Sequence, residues 1–207
     1  QSSILEVNDM TNLEFINQNK VIAIVRGIDS SKISSLAAAM VKGGLRCIEV
    51  TFDHSSEEGI QNTLKSIETL SKEFEGQVLA GAGTVLTVEQ VDQAAAAGAK
   101  YIISPNTNEK VIKRTKELGL ISIPGAMTPS EVVSAHEAGA DIVKLFPAAM
   151  FGTAYLKAVR GPLKHIPMTA VGGISPDNIA EFIEAGAVGV GVGGNLVSPK
   201  LVNEGRF

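Results

Sequence analysis

Short apolar runs, rich in valine and isoleucine, alternate along this chain with longer segments in which apolar residues return every three or four positions. Runs of that kind read as buried strands and the longer segments as helices with one apolar face, so the pattern predicts repeated strand–helix units around a parallel sheet. Eight runs are visible: Val21 to Arg26, Cys47 to Phe52, Val78 to Gly83, Tyr101 to Pro105, Ile121 to Ala126, Ile142 to Pro147, Met168 to Gly173 and Val188 to Gly194. Between them Ile33, Leu36 and Met40, and then Ile60, Leu64, Ile67 and Phe74, mark helix faces that should cover the sheet from outside. Residues 1–20 read as a helical lead-in.

The punctuation repeats as well. Ala97-Gly98-Ala99, Ala138-Gly139-Ala140 and Ala185-Gly186-Ala187 each precede a strand, as does Gly43-Gly44. Glycine takes the left-handed conformation that ends a helix, so these are helix-to-strand turns. Thr87 with Gln90, Thr128-Pro129 with Glu131, and Ser175-Pro176 read as helix amino-terminal caps. Eight units of one grammar predict an α/β fold, a single closed (β/α)₈ TIM barrel over 1–207, its carboxyl-terminal helix incomplete. The alternative is an open doubly wound sheet, but no Gly-x-Gly-x-x-Gly opens a helix after the first strand.

The composition sharpens this only slightly. With 207 residues, 44% hydrophobic and 19% charged, the chain is long enough for one domain with a real core. A net charge of −4 without basic clusters argues against a nucleic-acid partner. No apolar stretch has transmembrane or signal-peptide character, and the single cysteine, Cys47, has no internal disulfide partner, so no membrane role and a cytoplasmic location are expected. Cys47 itself reads as a small buried hydrophobe.

In a parallel barrel the chemistry gathers at the carboxyl ends of the strands, around the open mouth of a filled core. Sorting polar residues by strand end gives Arg26; Glu49 and Thr51; Thr84; Ser104 and Pro105; and Lys144 with Phe146. Lys144 and Glu49 stand out because each is a charge inside an otherwise apolar strand. Such a charge must be paired, shifted in pKa or used. Strand alternation puts Glu49 with Thr51 on one face and Lys144 with Phe146 on another. If both faces point inward, amine and carboxylate meet in the mouth. Either they form a buried ion pair without chemistry, or the amine is a nucleophile beside a general acid/base, as Schiff-base chemistry on a ketone requires. A solvent-facing lysine at a strand end is the third reading. Gly172-Gly173 and Gly191-Val192-Gly193-Gly194-Asn195, ending the last two strands, allow backbone N–H groups to approach a phosphate. His54, His136 and His165 are scattered, so no metal site is expected, although His54 could line the mouth. Lys100, Lys110, Lys113 and Lys116 read as solvated surface.

At this point the residues carry a resemblance. Ile48-Glu49-Val50-Thr51, Gly81-Ala82-Gly83-Thr84-Val85-Leu86, Ile103-Ser104-Pro105, Ile123-Pro124-Gly125, Val143-Lys144-Leu145-Phe146-Pro147-Ala148 and Val171-Gly172-Gly173-Ile174 resemble, in order, the 2-keto-3-deoxy-6-phosphogluconate and 4-hydroxy-2-oxoglutarate aldolases. The likeness runs from Val21 to about Val197. It implies a class I aldolase with Lys144 as Schiff-base lysine, Glu49 as acid/base, and Thr84, Pro105 and Phe146 shaping a pyruvate pocket. It further implies a homotrimer with neither cofactor nor metal, acting on a phosphorylated keto-deoxy sugar acid and pyruvate. The expected reaction cleaves 2-keto-3-deoxy-6-phosphogluconate to pyruvate and glyceraldehyde 3-phosphate, with 4-hydroxy-2-oxoglutarate as a further substrate. Two departures matter. Where members of the family carry an arginine four residues after the glutamate, this chain has Asp53, and Asn195 stands where a serine is often found. The Val25-Arg26-Gly27 turn, Ser104-Pro105-Asn106 and Phe151-Gly152 look instead like the 2-keto-3-deoxy-6-phosphogalactonate aldolases, which makes Arg26 the candidate for the substrate carboxylate or a neighbouring anionic group. A phosphosugar isomerase or epimerase, and a noncatalytic phosphate-ligand sensor, are the rival functions on such a barrel.

Overall fold

The computed structural model describes residues 10–207. The lead-in expected over 1–20 therefore lies outside the described residues up to position 9, and its remainder contains α1 (Asn12–Asn19), capped by Thr11 and Glu14 in a reciprocal capping box. Each of the eight apolar runs contains a strand: β1 (Val21–Val25), β2 (Cys47–Thr51), β3 (Leu79–Gly83), β4 (Tyr101–Ile103), β5 (Ile121–Ile123) with β6 (Gly125–Ala126), β7 (Val143–Leu145), β8 (Met168–Val171) and β9 (Gly189–Val192). The run from Ile121 to Ala126 is split at Pro124, which has no N–H to give to a ladder.

All pairings are parallel, in the order β5-β4-β3-β2-β1-β9-β8-β7-β6. Because β5 and β6 are the two halves of one strand, the two ends of that order meet. The N–H groups of Ile142 and Lys144 donate to the carbonyls of Ser122 and Pro124 at 3.3 and 2.8 Å, and Gly125 pairs with Lys144. The sheet is thus a barrel with strand–helix repeats, as the sequence pattern predicts, and not an open doubly wound sheet.

Outside it lie α2 (Ile33–Lys42), α3 (Glu57–Glu73), α4 (Val88–Ala96), α5 (Glu109–Glu117), α6 (Pro129–Glu137), α7 (Gly152–Leu163), α8 (Ile179–Glu184) and α9 (Pro199–Asn203). Thr87 and Thr128 cap α4 and α6 as expected, the latter with Glu131 in a capping box. Gly98, Gly139 and Gly186 take φ of 99°, 109° and 104°, as the helix-ending turns demand. Ser175-Pro176 does not cap α8; its first residue is Ile179, and Asn178 folds back to accept from the Ser175 N–H at 2.9 Å, holding 175–178 as a turn. Lys116, expected to be solvated, is partly buried and ion-paired with Asp141 at 2.7 Å, and Asp141 in turn accepts from the Ser122 N–H. This pair ties the end of α5 to the strands at the barrel seam.

The inward side chains Ile22, Cys47, Leu79, Tyr101, Ile103, Ile121, Ile123 and Ile142 fill the lower lumen, and α1 plugs its amino-terminal end with Phe15 and Ile16. Cys47 is fully buried there and its thiol is pushed up to about 12 by burial, as fits a packed hydrophobe. Tyr101 crosses Gly81, where an added Cβ would fall 2.1 Å from the ring, and its buried hydroxyl has no hydrogen-bond partner among the described residues. The apolar filling leaves only the carboxyl-terminal mouth for polar chemistry. Among the described residues no helix is long and apolar enough to cross a membrane.

Candidate active site

At that mouth lies a cavity of about 410 Å³. Of the residues singled out from sequence, Arg26, Glu49, Thr84, Pro105, Lys144, Phe146, Gly172, Gly173, Gly193, Gly194 and Asn195 all line it. Thr51 does not. It is buried one step beyond Glu49, its hydroxyl donates to the Val25 carbonyl at 3.4 Å, and it faces a neighbouring cavity of about 440 Å³. Asp53 and His54 line that second cavity, with Arg26 and Thr84 on the wall between the two. Gly191, from the glycine segment read as a phosphate approach, lines the first cavity too, with Val171 and Ile174 flanking the Gly172-Gly173 pair; Ile24 also lines it and was read as ordinary core.

Lys144 sits mid-strand, paired with Gly125 and Thr169, and is only 6% exposed, which removes the reading of a solvent-facing lysine. Its Nζ lies 4.8 Å from the centroid of the Phe146 ring. Burial holds the amine below the ordinary lysine value; Glu49 opposes that shift and Arg26 reinforces it. Glu49 is 2% exposed on β2, and burial raises its carboxyl above the usual range against the pull of Lys144 and Arg26. Among the described residues Lys144 and Glu49 make no ion pair within 4.0 Å, so the two groups face one cavity without neutralising each other in a closed pair. Each is instead shifted toward its uncharged form.

Gly83 makes room for this carboxylate: a Cβ there would fall 1.7 Å from Glu49 Oε1. The next residue, Thr84, has φ of 56°, a left-handed conformation costing a β-branched residue roughly 1–3 kcal/mol. Its Oγ1 accepts from Arg26 Nη2 at 3.4 Å.

The opposite wall is built from backbone. Gly172 and Gly173 have consecutive positive φ values of 95° and 74°. Their carbonyls and those nearby are occupied on the outer side. Asn178 Nδ2 donates to the Gly173 carbonyl at 3.1 Å, Asn195 Nδ2 to that of Ile174 at 2.9 Å, and the Gly193 carbonyl accepts from the N–H groups of Leu196 and Val197. With the carbonyls held in this way, the loop concavity is suited to an anion through its N–H groups. Asn195 thus acts on the loop frame, and Asn178 shares that task. Nothing in the sequence distinguished Asn178 from a helix cap. Among the described residues no group of three or more His, Cys, Asp or Glu side chains has the arrangement of a metal site.

The chain matches, over residues 13–207, the family described as KDPG and KHG aldolase. It is 37% identical over 177 residues to the 2-dehydro-3-deoxy-6-phosphogalactonate aldolase of Escherichia coli (strain K12), covering 85% of this chain and 83% of that one. It is 36% identical to the 2-dehydro-3-deoxy-phosphogluconate aldolase of Treponema pallidum (strain Nichols), covering 96% and 91%. Its fold superposes with a TM-score of 0.84, at 27% identity and over 95% and 93% of the two chains, on KDPG aldolase from Legionella pneumophila, whose structure holds pyruvate as a covalent carbinolamine intermediate. A buried amine and carboxylate at the mouth of a barrel that is alike over nearly its whole length leave one conclusion: this chain belongs to the KDPG and KHG aldolase family and is a carbon–carbon lyase of the Schiff-base class.

Proposed function

We propose that the chain cleaves 2-keto-3-deoxy-6-phosphogluconate to pyruvate and glyceraldehyde 3-phosphate through a Schiff base on Lys144. The observation that carries this reading is the placement of Lys144 and Glu49 in one cavity, both shifted toward neutrality, opposite a glycine wall suited to phosphate. The uncharged amine attacks the C2 ketone, and its proton passes to the former carbonyl oxygen to give a carbinolamine. Glu49, as the acid, protonates that hydroxyl, which leaves as water while the iminium forms. The resulting carboxylate takes the C4 hydroxyl proton. The C3–C4 electron pair then moves into the iminium, releasing the aldehyde and leaving a pyruvate enamine. Proton return to C3 and hydrolysis of the iminium give pyruvate and the free amine.

Arg26 is the group we assign to the substrate carboxylate, being the cationic side chain on the cavity wall besides Lys144. Thr84, Pro105 and Phe146 shape the pyruvate end, and Gly172, Gly173, Gly193, Gly194 and Asn195 frame the phosphate end. One observation favours a second reading, the galactonate epimer as substrate: Arg26 faces the catalytic cavity while Asp53, where the family's other branch has arginine, is outside it. 4-Hydroxy-2-oxoglutarate shares the keto-acid head and C4 hydroxyl, so the same groups serve its cleavage to pyruvate and glyoxylate. We further infer a cytoplasmic location, as expected from the chain's composition, and a homotrimer, as the family resemblance implies, which light scattering coupled to size exclusion tests.

The deciding experiment incubates the protein with pyruvate and borohydride and measures intact mass. A reduced pyruvyl adduct, absent in Lys144→Ala, is the expected result, with kcat in the variant down by about 10⁴-fold or more. An unmodified wild-type mass at saturating pyruvate overturns the reading. Parallel turnover of the two phosphorylated acids separates gluconate from galactonate.

A further inference from the structure

Thr84 is the one non-glycine cavity residue of the described chain with positive φ, and a second group of side chains outside the cavity surrounds it. Gln90, on α4, accepts from the Leu86 N–H through Oε1 at 2.8 Å. That bond fixes the orientation of its amide, so the end facing His54 Nδ1, at 3.1 Å, is the NH₂ group, which can only donate. Nδ1 of His54 is therefore an acceptor, and the proton of the neutral ring sits on Nε2. This nitrogen lies 2.8 Å from the Thr84 carbonyl oxygen and donates to it. The ring also stacks on buried Phe52, with centroids 6.3 Å apart. Four groups are thus joined by bonds that converge on Thr84: Gln90 to His54, His54 to the Thr84 carbonyl, and, on the far side of the same residue, Arg26 Nη2 to Thr84 Oγ1.

From this we infer that His54 is a positioning residue: it holds Thr84 in its left-handed conformation and so directs the Thr84 hydroxyl, and the Arg26 guanidinium resting on it, toward the carboxylate of the bound keto acid. The Thr84 carbonyl belongs to the peptide unit shared with Val85, whose N–H donates to the Ile103 carbonyl at 3.2 Å, so His54 and Ile103 grip the two sides of one unit and together set ψ of Thr84, which in the left-handed region goes with its positive φ. With the His54 bond gone the unit is held on its N–H side alone, and a β-branched residue relaxes toward negative φ, its side chain turning with the backbone. No other side chain donates to the Thr84 carbonyl among the described residues. The inference rests on the aldolase reading for its consequence, the affinity for keto acid, but not for the brace itself.

The test uses the full chain and His54→Phe, which keeps the ring on Phe52 and removes both hydrogen bonds. A crystal structure of the variant is expected to show Thr84 at negative φ. Borohydride trapping is expected to need about tenfold more pyruvate for half-saturation, with the yield at saturating pyruvate unchanged. Glycine takes positive φ unaided, so in a Thr84→Gly chain the further change His54→Phe should leave the half-saturation where it was. Thr84 remaining near its present φ in His54→Phe overturns the brace. A moved Thr84 with unaltered half-saturation, or an equal loss in the Thr84→Gly background, overturns its role in binding. Should the wild-type protein form no adduct, the aldolase reading fails separately, and the crystal structure of the variant alone decides whether His54 sets Thr84.

Discussion

The two walls of the catalytic cavity are made of different material. At the ends of β1, β2, β3 and β7 the lining consists of functional side chains, Arg26, Glu49, Thr84 and Lys144, each given its property by what buries or anchors it. At the ends of β8 and β9, between β1 and β7 in the ring, it is largely backbone, with Gly172, Gly173, Gly193 and Gly194 presenting no side chain at all. Proton transfer and nucleophilic attack need groups with shifted pKa values, and only burial beside other charges provides those. Holding a phosphate needs several N–H groups at close range, and only an absent Cβ allows that approach. The first wall fails when atoms are removed from it and the second when atoms are added.

Gly83 tests that division most severely, because it is a glycine serving the side-chain wall. Gly83→Ala should drive the Glu49 carboxylate from its seat, given the 1.7 Å approach of the added Cβ to Oε1, and lower kcat on the order of 10²-fold. Steady-state assay with pyruvate-coupled detection checks this, and a kcat within about twofold of wild type would show that Glu49 finds another productive position. On the opposite wall, Gly173→Ala places a Cβ 2.6 Å from that of Ala149 at a φ of 74°. The expected outcome is a KM for phosphorylated substrate raised about tenfold, with pyruvate trapping on Lys144 unchanged. Equal losses in both assays would mean that the two walls are not separable.

The smallest effect concerns pH. The reactive amine is the unprotonated one, so adduct formation rises with pH through the pKa of Lys144. Because burial lowers that value, the midpoint should lie below the ordinary lysine value of about 10.4. Arg26 contributes to the lowering, so Arg26→Gln at saturating pyruvate should move the midpoint upward. A midpoint that does not move, read from trapping rates over a pH series, would assign the shift to burial alone.

Much of this was legible in the chain. Strand period and glycine turns marked all eight strand positions because each side chain is committed to one of two faces. Glu49 and Lys144 could be found because a charge is conspicuous among apolar neighbours. Thr51 was misplaced because alternation gives the face of a strand but not how far along it the cavity reaches. Pro124 hid the split of one strand, since a proline between Ile123 and Gly125-Ala126 reads as part of one continuous run. His54, Gln90 and Asn178 were invisible as a group for a different reason. Each acts by a hydrogen bond to a backbone carbonyl or N–H, and such partners are brought together only by loops that fold beside each other.

The arrangement of strands around the ring has a consequence for how activity arises during folding. Glu49 belongs to β2 and Lys144 to β7, with β1, β9 and β8 between them in the order. They are not ladder neighbours and meet only across the lumen. Lys144 is, moreover, the residue whose N–H takes the Pro124 carbonyl and whose strand position pairs with Gly125, at the split strand where the ring is completed. An open arc could carry both strands yet leave the two groups apart, because only the curvature of the closed ring turns β2 and β7 to face each other. Catalysis therefore reports that the circle is closed rather than how much helix or strand has formed.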